Sequence, residues 1–151
     1  MAFMLAVHLL AAVVWVGGMF FAYQCLRTVA AQVLEPPLRL QVWCGVLRRF
    51  FPWVWLAIAT LLISGHGMIA LYGGMAAVGA HVHVMMLLGY LMVALYAYLF
   101  FVPFRELKAA VVGQSWPDGA KSLNQIRQIV AINLALGLLV VVLASAGRAL
   151  F

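Results

Sequence analysis

Residues 2–26 read AFMLAVHLLAAVVWVGGMFFAYQCL, a run with no Asp, Glu, Lys or Arg. The hydrocarbon core of a bilayer takes about 20 apolar residues of helix. In hydrocarbon, backbone N–H and C=O groups must find partners within their own segment, so a spanning stretch of this kind is helical. The reading repeats three times: 50–72 (FFPWVWLAIATLLISGHGMIALY), 80–102 (AHVHVMMLLGYLMVALYAYLFFV) and 126–147 (IRQIVAINLALGLLVVVLASAG). The expected fold is all-α, an integral membrane four-helix bundle forming one domain over 1–151.

Composition agrees. Of 151 residues, 68% are hydrophobic and 8% charged, and the mean hydropathy is +1.15. Soluble domains carry about a quarter charged residues. A chain this poor in charge cannot coat its own surface, so the lipid bilayer is its solvent. The first run has no basic segment before it and is too long for a cleaved leader, so it reads as a retained first span.

The formal charge is +6. In a soluble protein that excess would suggest nucleic acid. Here Arg27, Arg39, Arg48 and Arg49 fall between the first and second spans, and Arg105, Lys108 and Lys121 between the third and fourth, with Arg127 at the polar start of the fourth. The stretch GGMAAVG between the second and third spans has no charge, and the C-terminal tail adds only Arg148. Basic loops stay cytoplasmic. The expected topology is therefore N-out/C-out, with both termini periplasmic in a bacterial inner membrane and no nucleic-acid partner. Between the first two spans, Leu38, Leu40, Val42, Val46 and Leu47 interleave with arginines. They suggest an interfacial amphipathic piece or a cytoplasmic extension of the second helix. GQSWPDGAKS (113–122) reads as turn-rich. Pro52 is expected in the first turn of the second helix, where its missing N–H costs little. Cys25 and Cys44 lack the spacing of a disulfide framework or thiolate site. Glycine pairs at 17–18 and 73–74 suggest close helix contacts and a homodimer.

The histidines carry the chemistry. At 1.5 Å per residue, His8 and His66 lie about 9 Å from the outer ends of their spans and His83 about 5 Å. Imidazoles from three spans thus share one level in the outer leaflet. His81 and His83 are about 200° apart around a helix, so one of them points inward, and the deeper His83 is the expected one. Ionisable groups within the membrane usually face the bundle interior with a partner. The competing interpretation is imidazoles reaching for interfacial water.

Two cofactors would use such groups. Haem b would take His8 and His83 as axial ligands, with His66 as substitute or pocket residue. Trp15, Gly18 and Tyr90 would line the slot. Copper would take imidazole with thioether, which suits Cu(I); Met4, Met85 and Met86 sit at the right level. No span contains a carboxylate for a proton relay. No nucleotide-binding loop or His/Glu zinc-protease spacing occurs. Asn133, in the inner half of the fourth span, reads as interhelical glue or as a donor behind a ligand.

VHLLAAVVWVGGMFF (7–21), RRFFPWVWLAIATLLISG (48–65) and HVHVMMLLGYLMVALYAYLFF (81–101) resemble membrane proteins of the copper-resistance D (CopD) type. More distantly, they resemble the small membrane protoporphyrinogen oxidase HemJ. The CopD resemblance implies copper uptake or periplasmic copper handling. The HemJ resemblance implies a b-haem four-helix bundle, with His8 and His83 at the positions of that family's histidines. Met85 stands where that family has a lysine implicated in activity. The resemblance therefore implies haem binding but leaves protoporphyrinogen oxidation without its lysine.

The leading expectation is a haem b-binding membrane protein with an electron-transfer or oxidase role, its haem near the periplasmic leaflet and within reach of a quinol or another redox partner. The alternative is copper transport or handling through the His/Met cluster. A third is a membrane subunit or assembly factor without a cofactor.

Overall fold

Each apolar stretch forms a helix, and the helices run on past the points where the apolar stretches meet charge. The computed structural model describes the backbone of residues 1–150 and the side chains of residues 1–146, so the side chain of Arg148 lies outside the described residues. Helix α1 spans Ala2–Val33 and α2 spans Pro36–Leu71. Helix α3 spans Ala80–Phe101, α4 Pro103–Val112 and α5 Trp116–Leu150. Among the described residues there is no strand. Among the described residues, four helices are long and apolar enough to cross a membrane, with α3 and α4 counted as one broken span.

Helix α2 has 36 residues, hence a length of about 54 Å, against about 30 Å of hydrocarbon. The surplus lies at the basic end. There the sequence expectation of long loops gives way to helix. Residues 27–49 and 103–125 are helical except for tight turns at 34–35 and 113–115, and the break between α3 and α4 is at Val102. The reason is patterning. Leu40, Trp43 and Leu47 recur at helical spacing and are buried, as are Phe104, Leu107 and Leu123. Such a stripe folds onto a neighbouring stripe whether or not lipid surrounds it. Of the two readings of the 36–49 stretch, extension of the second helix is the one observed. Pro52 consequently lies well inside α2, not in its first turn.

The turns are short and specific. After α2, Gly73 and Gly74 adopt φ of +99° and +91°, and the Gly74 N–H bonds back to the Ile69 carbonyl at 2.9 Å. This glycine pair is therefore a requirement of the turn. Before α5, the Ser115 hydroxyl donates to Asp118 at 2.5 Å.

Helix α1 packs along α2, and α3 and α4 pack along α5, which also meets α1 and α2. Between α2 and α3 the contact is made by aromatic side chains. Phe51 and Trp55 meet Tyr96 edge-on at centroid distances of 5.4 and 5.1 Å. The Tyr96 hydroxyl also donates to the Phe51 carbonyl at 3.0 Å. Asn133, buried on α5, donates through Nδ2 to the Met92 carbonyl of α3 at 3.1 Å, which is the interhelical role expected of it.

Candidate functional site

The end of the bundle away from the basic turns holds all four histidines. Helix α1 meets α2 in antiparallel register there, and glycines on α2 make room for side chains of α1. A Cβ placed on Gly67 would lie 2.6 Å from the Met4 methyl carbon, and one on Gly65 3.3 Å from His8 Cε1. Further along the same seam the relation reverses, and Gly18 of α1 receives the ring of Phe50. Met4 and His8 are four residues apart on α1, so thioether and imidazole share one helix face.

One hydrogen-bond chain fixes the state of His8. The Ser64 hydroxyl has a single hydrogen, and it donates to the Thr60 carbonyl at 2.5 Å. Toward His8 Nδ1, 2.8 Å away, Ser64 can then only accept. Nδ1 carries the proton, and the lone pair is on Nε2. This is the arrangement in which a histidine is oriented as a metal ligand, one nitrogen tied to an oxygen and the other open.

The other imidazoles are differently placed. His66 Nδ1 donates to its own helix at the Leu62 carbonyl, 2.8 Å away. That leaves Nε2 as the acceptor of the Tyr90 hydroxyl at 2.7 Å. His83 Nδ1 donates to the Gly79 carbonyl at 3.3 Å, leaving its Nε2 open. His83 is exposed, whereas His81 is half-buried, with its ring turned back against Gly79. The expected inward position of the deeper histidine is thus reversed, because α3 packs along α5 and not along α1.

The residues expected to share one site therefore separate into three groups. His8 stands with Met4 and Ser64, and His66 with Tyr90. His83 stands on α3 near Met85 and Met86, both half-buried. Trp15 and Gly18, expected beside a flat cofactor, face protein instead: Trp15 is buried edge-on to Tyr96 at 6.1 Å, and Gly18 faces Phe50. Among the described residues no three of His, Cys, Asp and Glu come together. A metal at this end has to draw on thioether sulfur as well as imidazole. Cys25 and Cys44 are free and lie toward the opposite end.

Ser64 was visible in the sequence only as a polar residue within a span. Its signal was the antiparallel register, which sets the middle of the 60s opposite residue 8. Two further residues of consequence, Arg27 and Arg127, read in the sequence as loop charges alone.

The family model of Copper resistance protein D, CopD, matches residues 44–146. No curated protein and no solved structure matches the chain. The match covers more than half of the sequence and takes in three of its four membrane-crossing helices. The chain is a multi-pass membrane protein that belongs to the copper resistance protein D family.

Proposed function

We propose that the protein handles copper in the membrane, taking Cu(I) as its cargo through Met4 Sδ and His8 Nε2. The observation that carries this reading is the Ser64 hydrogen bond. By spending its hydrogen on Thr60, Ser64 holds His8 in the tautomer whose Nε2 is open. Met4 stands one turn away on the same face, and thioether with imidazole is a donor set suited to Cu(I). The family match supports the same cargo. Met85 and Met86 on α3 are further soft donors at this end, and the exposed His83 is a receiving imidazole. The distribution of basic residues supports an orientation with this end outward, on the periplasmic side.

Haem b, which the HemJ resemblance implies, fits less well. His83, its expected second axial ligand, lies on a helix that does not pack along α1. The walls expected of a slot, at Trp15 and Gly18, are filled by Tyr96 and Phe50.

Competition of purified protein against a chromophoric Cu(I) chelator tests the proposal. Stoichiometric Cu(I) that is lost in His8→Ala and weakened in Met4→Leu supports it. Absence of copper uptake, together with a porphyrin absorption band in protein grown with haem precursor, would overturn it in favour of haem.

A further inference from the structure

At the opposite, basic end, a groove of about 370 Å³ runs between α1 and α5. Its lining includes Tyr23, Arg27, Asn124, Arg127, Gln128 and Ile132. Four features set it apart from an ordinary basic surface.

The first is charge without compensation. The groups acting electrostatically on Arg127 are Arg27, Arg39 and the Tyr23 phenol, and none is a carboxylate. The chain has only three acids; Glu106 accepts from Ser122 and Asp118 from Ser115, and Glu35 is not among the groups acting on Arg127. Like charges lining one groove repel, and an anion between them relieves that repulsion.

The second is a pair of orphaned polar atoms. Among the described residues, Arg127 Nε is buried with no acceptor and Asn133 Oδ1 with no donor. Asn133 is only 2% exposed. Both residues line an inner cavity of about 30 Å³ that shares Tyr23, Arg27 and Arg127 with the groove. A buried donor left unpaired is costly, and the Arg127 N–H is one that an anion's oxygen can meet; the Asn133 oxygen is an acceptor outside the groove and plays no part in it.

The third is construction. The π-helical turn Phe21–Leu26 lies where α1 meets this groove. A turn closed from i to i+5 winds less per residue, so Trp15, Met19, Tyr23 and Arg27 stay on one face instead of drifting round the helix. Such turns are frequent at functional sites. The Arg27 guanidinium is then held over the Tyr23 ring, 4.6 Å from its centroid.

The fourth is polarity along the groove. Arg27 is the first charge after the apolar run of α1, and Arg127 the last before the apolar run of α5. Both guanidiniums thus stand where an apolar run ends, the position at which basic side chains meet lipid headgroups. Ile132, toward the hydrocarbon side, is 51% exposed.

We infer that this groove binds the phosphodiester of an anionic glycerophospholipid between Arg27 and Arg127, with an acyl chain along Ile132. Basic pockets between membrane helices take such headgroups. The lipid is favoured over free phosphate because the groove joins its cationic end to an apolar one.

The test uses the full chain in a mild non-ionic detergent. Native mass spectrometry and thermal unfolding are followed on adding phosphatidylglycerol, phosphatidylcholine or inorganic phosphate. Phosphatidylglycerol is expected to bind and raise the unfolding temperature, while the other two leave it unchanged. Arg27→Gln should weaken phosphatidylglycerol binding by about fivefold. Gln128→Glu, an exposed change that keeps the fold, should weaken it further by setting a carboxylate in the groove. Arg49→Gln, exposed at the same end but outside the groove, should bind as wild type. Equal effects of phosphatidylglycerol and phosphatidylcholine would overturn the inference. So would Gln128→Glu binding like wild type, Arg49→Gln losing as much as Arg27→Gln, or inorganic phosphate matching the lipid.

Discussion

Tyr90 donates its phenolic hydrogen to His66 Nε2 across 2.7 Å, joining α3 to α2 at the end where the two helices meet through side chains. The bond occupies the nitrogen that His66 would otherwise offer to a metal. Tyr90→Phe releases it. We expect His66 in that variant to react several-fold faster with diethylpyrocarbonate while His8 is unchanged, as read by peptide mass spectrometry. The stability lost should be no more than about 1 kcal/mol.

Ser64 orients His8 without touching the metal. In Ser64→Ala, Nδ1 loses its acceptor and the ring its fixed direction. Loss of such an outer partner costs about 10–100-fold in metal affinity, and chelator competition should show a fall in that range. Ser64→Thr keeps the hydroxyl and should recover most of it. Equal affinities in wild type and Ser64→Ala would mean that the Ser64 contact does not position the ligand.

The glycines of the α1–α2 seam differ in what stands against them. Gly18 faces the stiff ring of Phe50, half-buried and packed against the core. Gly67 faces the end of the flexible Met4 side chain. Gly18→Ala should therefore destabilise by about 1–3 kcal/mol, as overpacking does, and Gly67→Ala by clearly less. Unfolding in mixed micelles compares them directly, and the reverse order would contradict the seam described.

Asn133 combines a made hydrogen bond and an orphaned acceptor in one buried side chain. Asn133→Ala loses the bond to Met92, worth about 0.6–1.7 kcal/mol between membrane helices, and opens a void beside the inner cavity. We expect a destabilisation of about 2 kcal/mol, at the lower end for a buried truncation. Asn133→Leu fills the space and removes the orphan, and should cost less than Asn133→Ala in the same assay.

The four spans were legible because hydrocarbon demands uninterrupted apolar helix, and residues 2–26 could satisfy nothing else. The helix ends were less so. Arg48 and Arg49 mark where lipid gives way to water, but the pattern of Leu40, Trp43 and Leu47 carries the helix through them. For the same reason Pro52, expected in a first helical turn, lies well inside a helix that starts at Pro36. The histidine end was legible as a level and not as a constellation. Depth follows from counting residues, whereas the pairing of His66 with Tyr90 and the outward turn of His83 follow from which helices pack together. Single-span periodicity holds no information about that. The same limit hid Arg27 and Arg127, which are far apart in sequence and meet only because α1 and α5 are neighbours.

The central claim is that His8 Nε2 and a methionine sulfur bind Cu(I) together. X-ray absorption at the copper edge, on protein loaded with Cu(I), tests it most directly. The account predicts mixed nitrogen and sulfur scattering, with the nitrogen component lost in His8→Ala and the sulfur component reduced in Met4→Leu. Scattering from nitrogen or oxygen alone, or a spectrum that His8→Ala leaves unchanged, would contradict it.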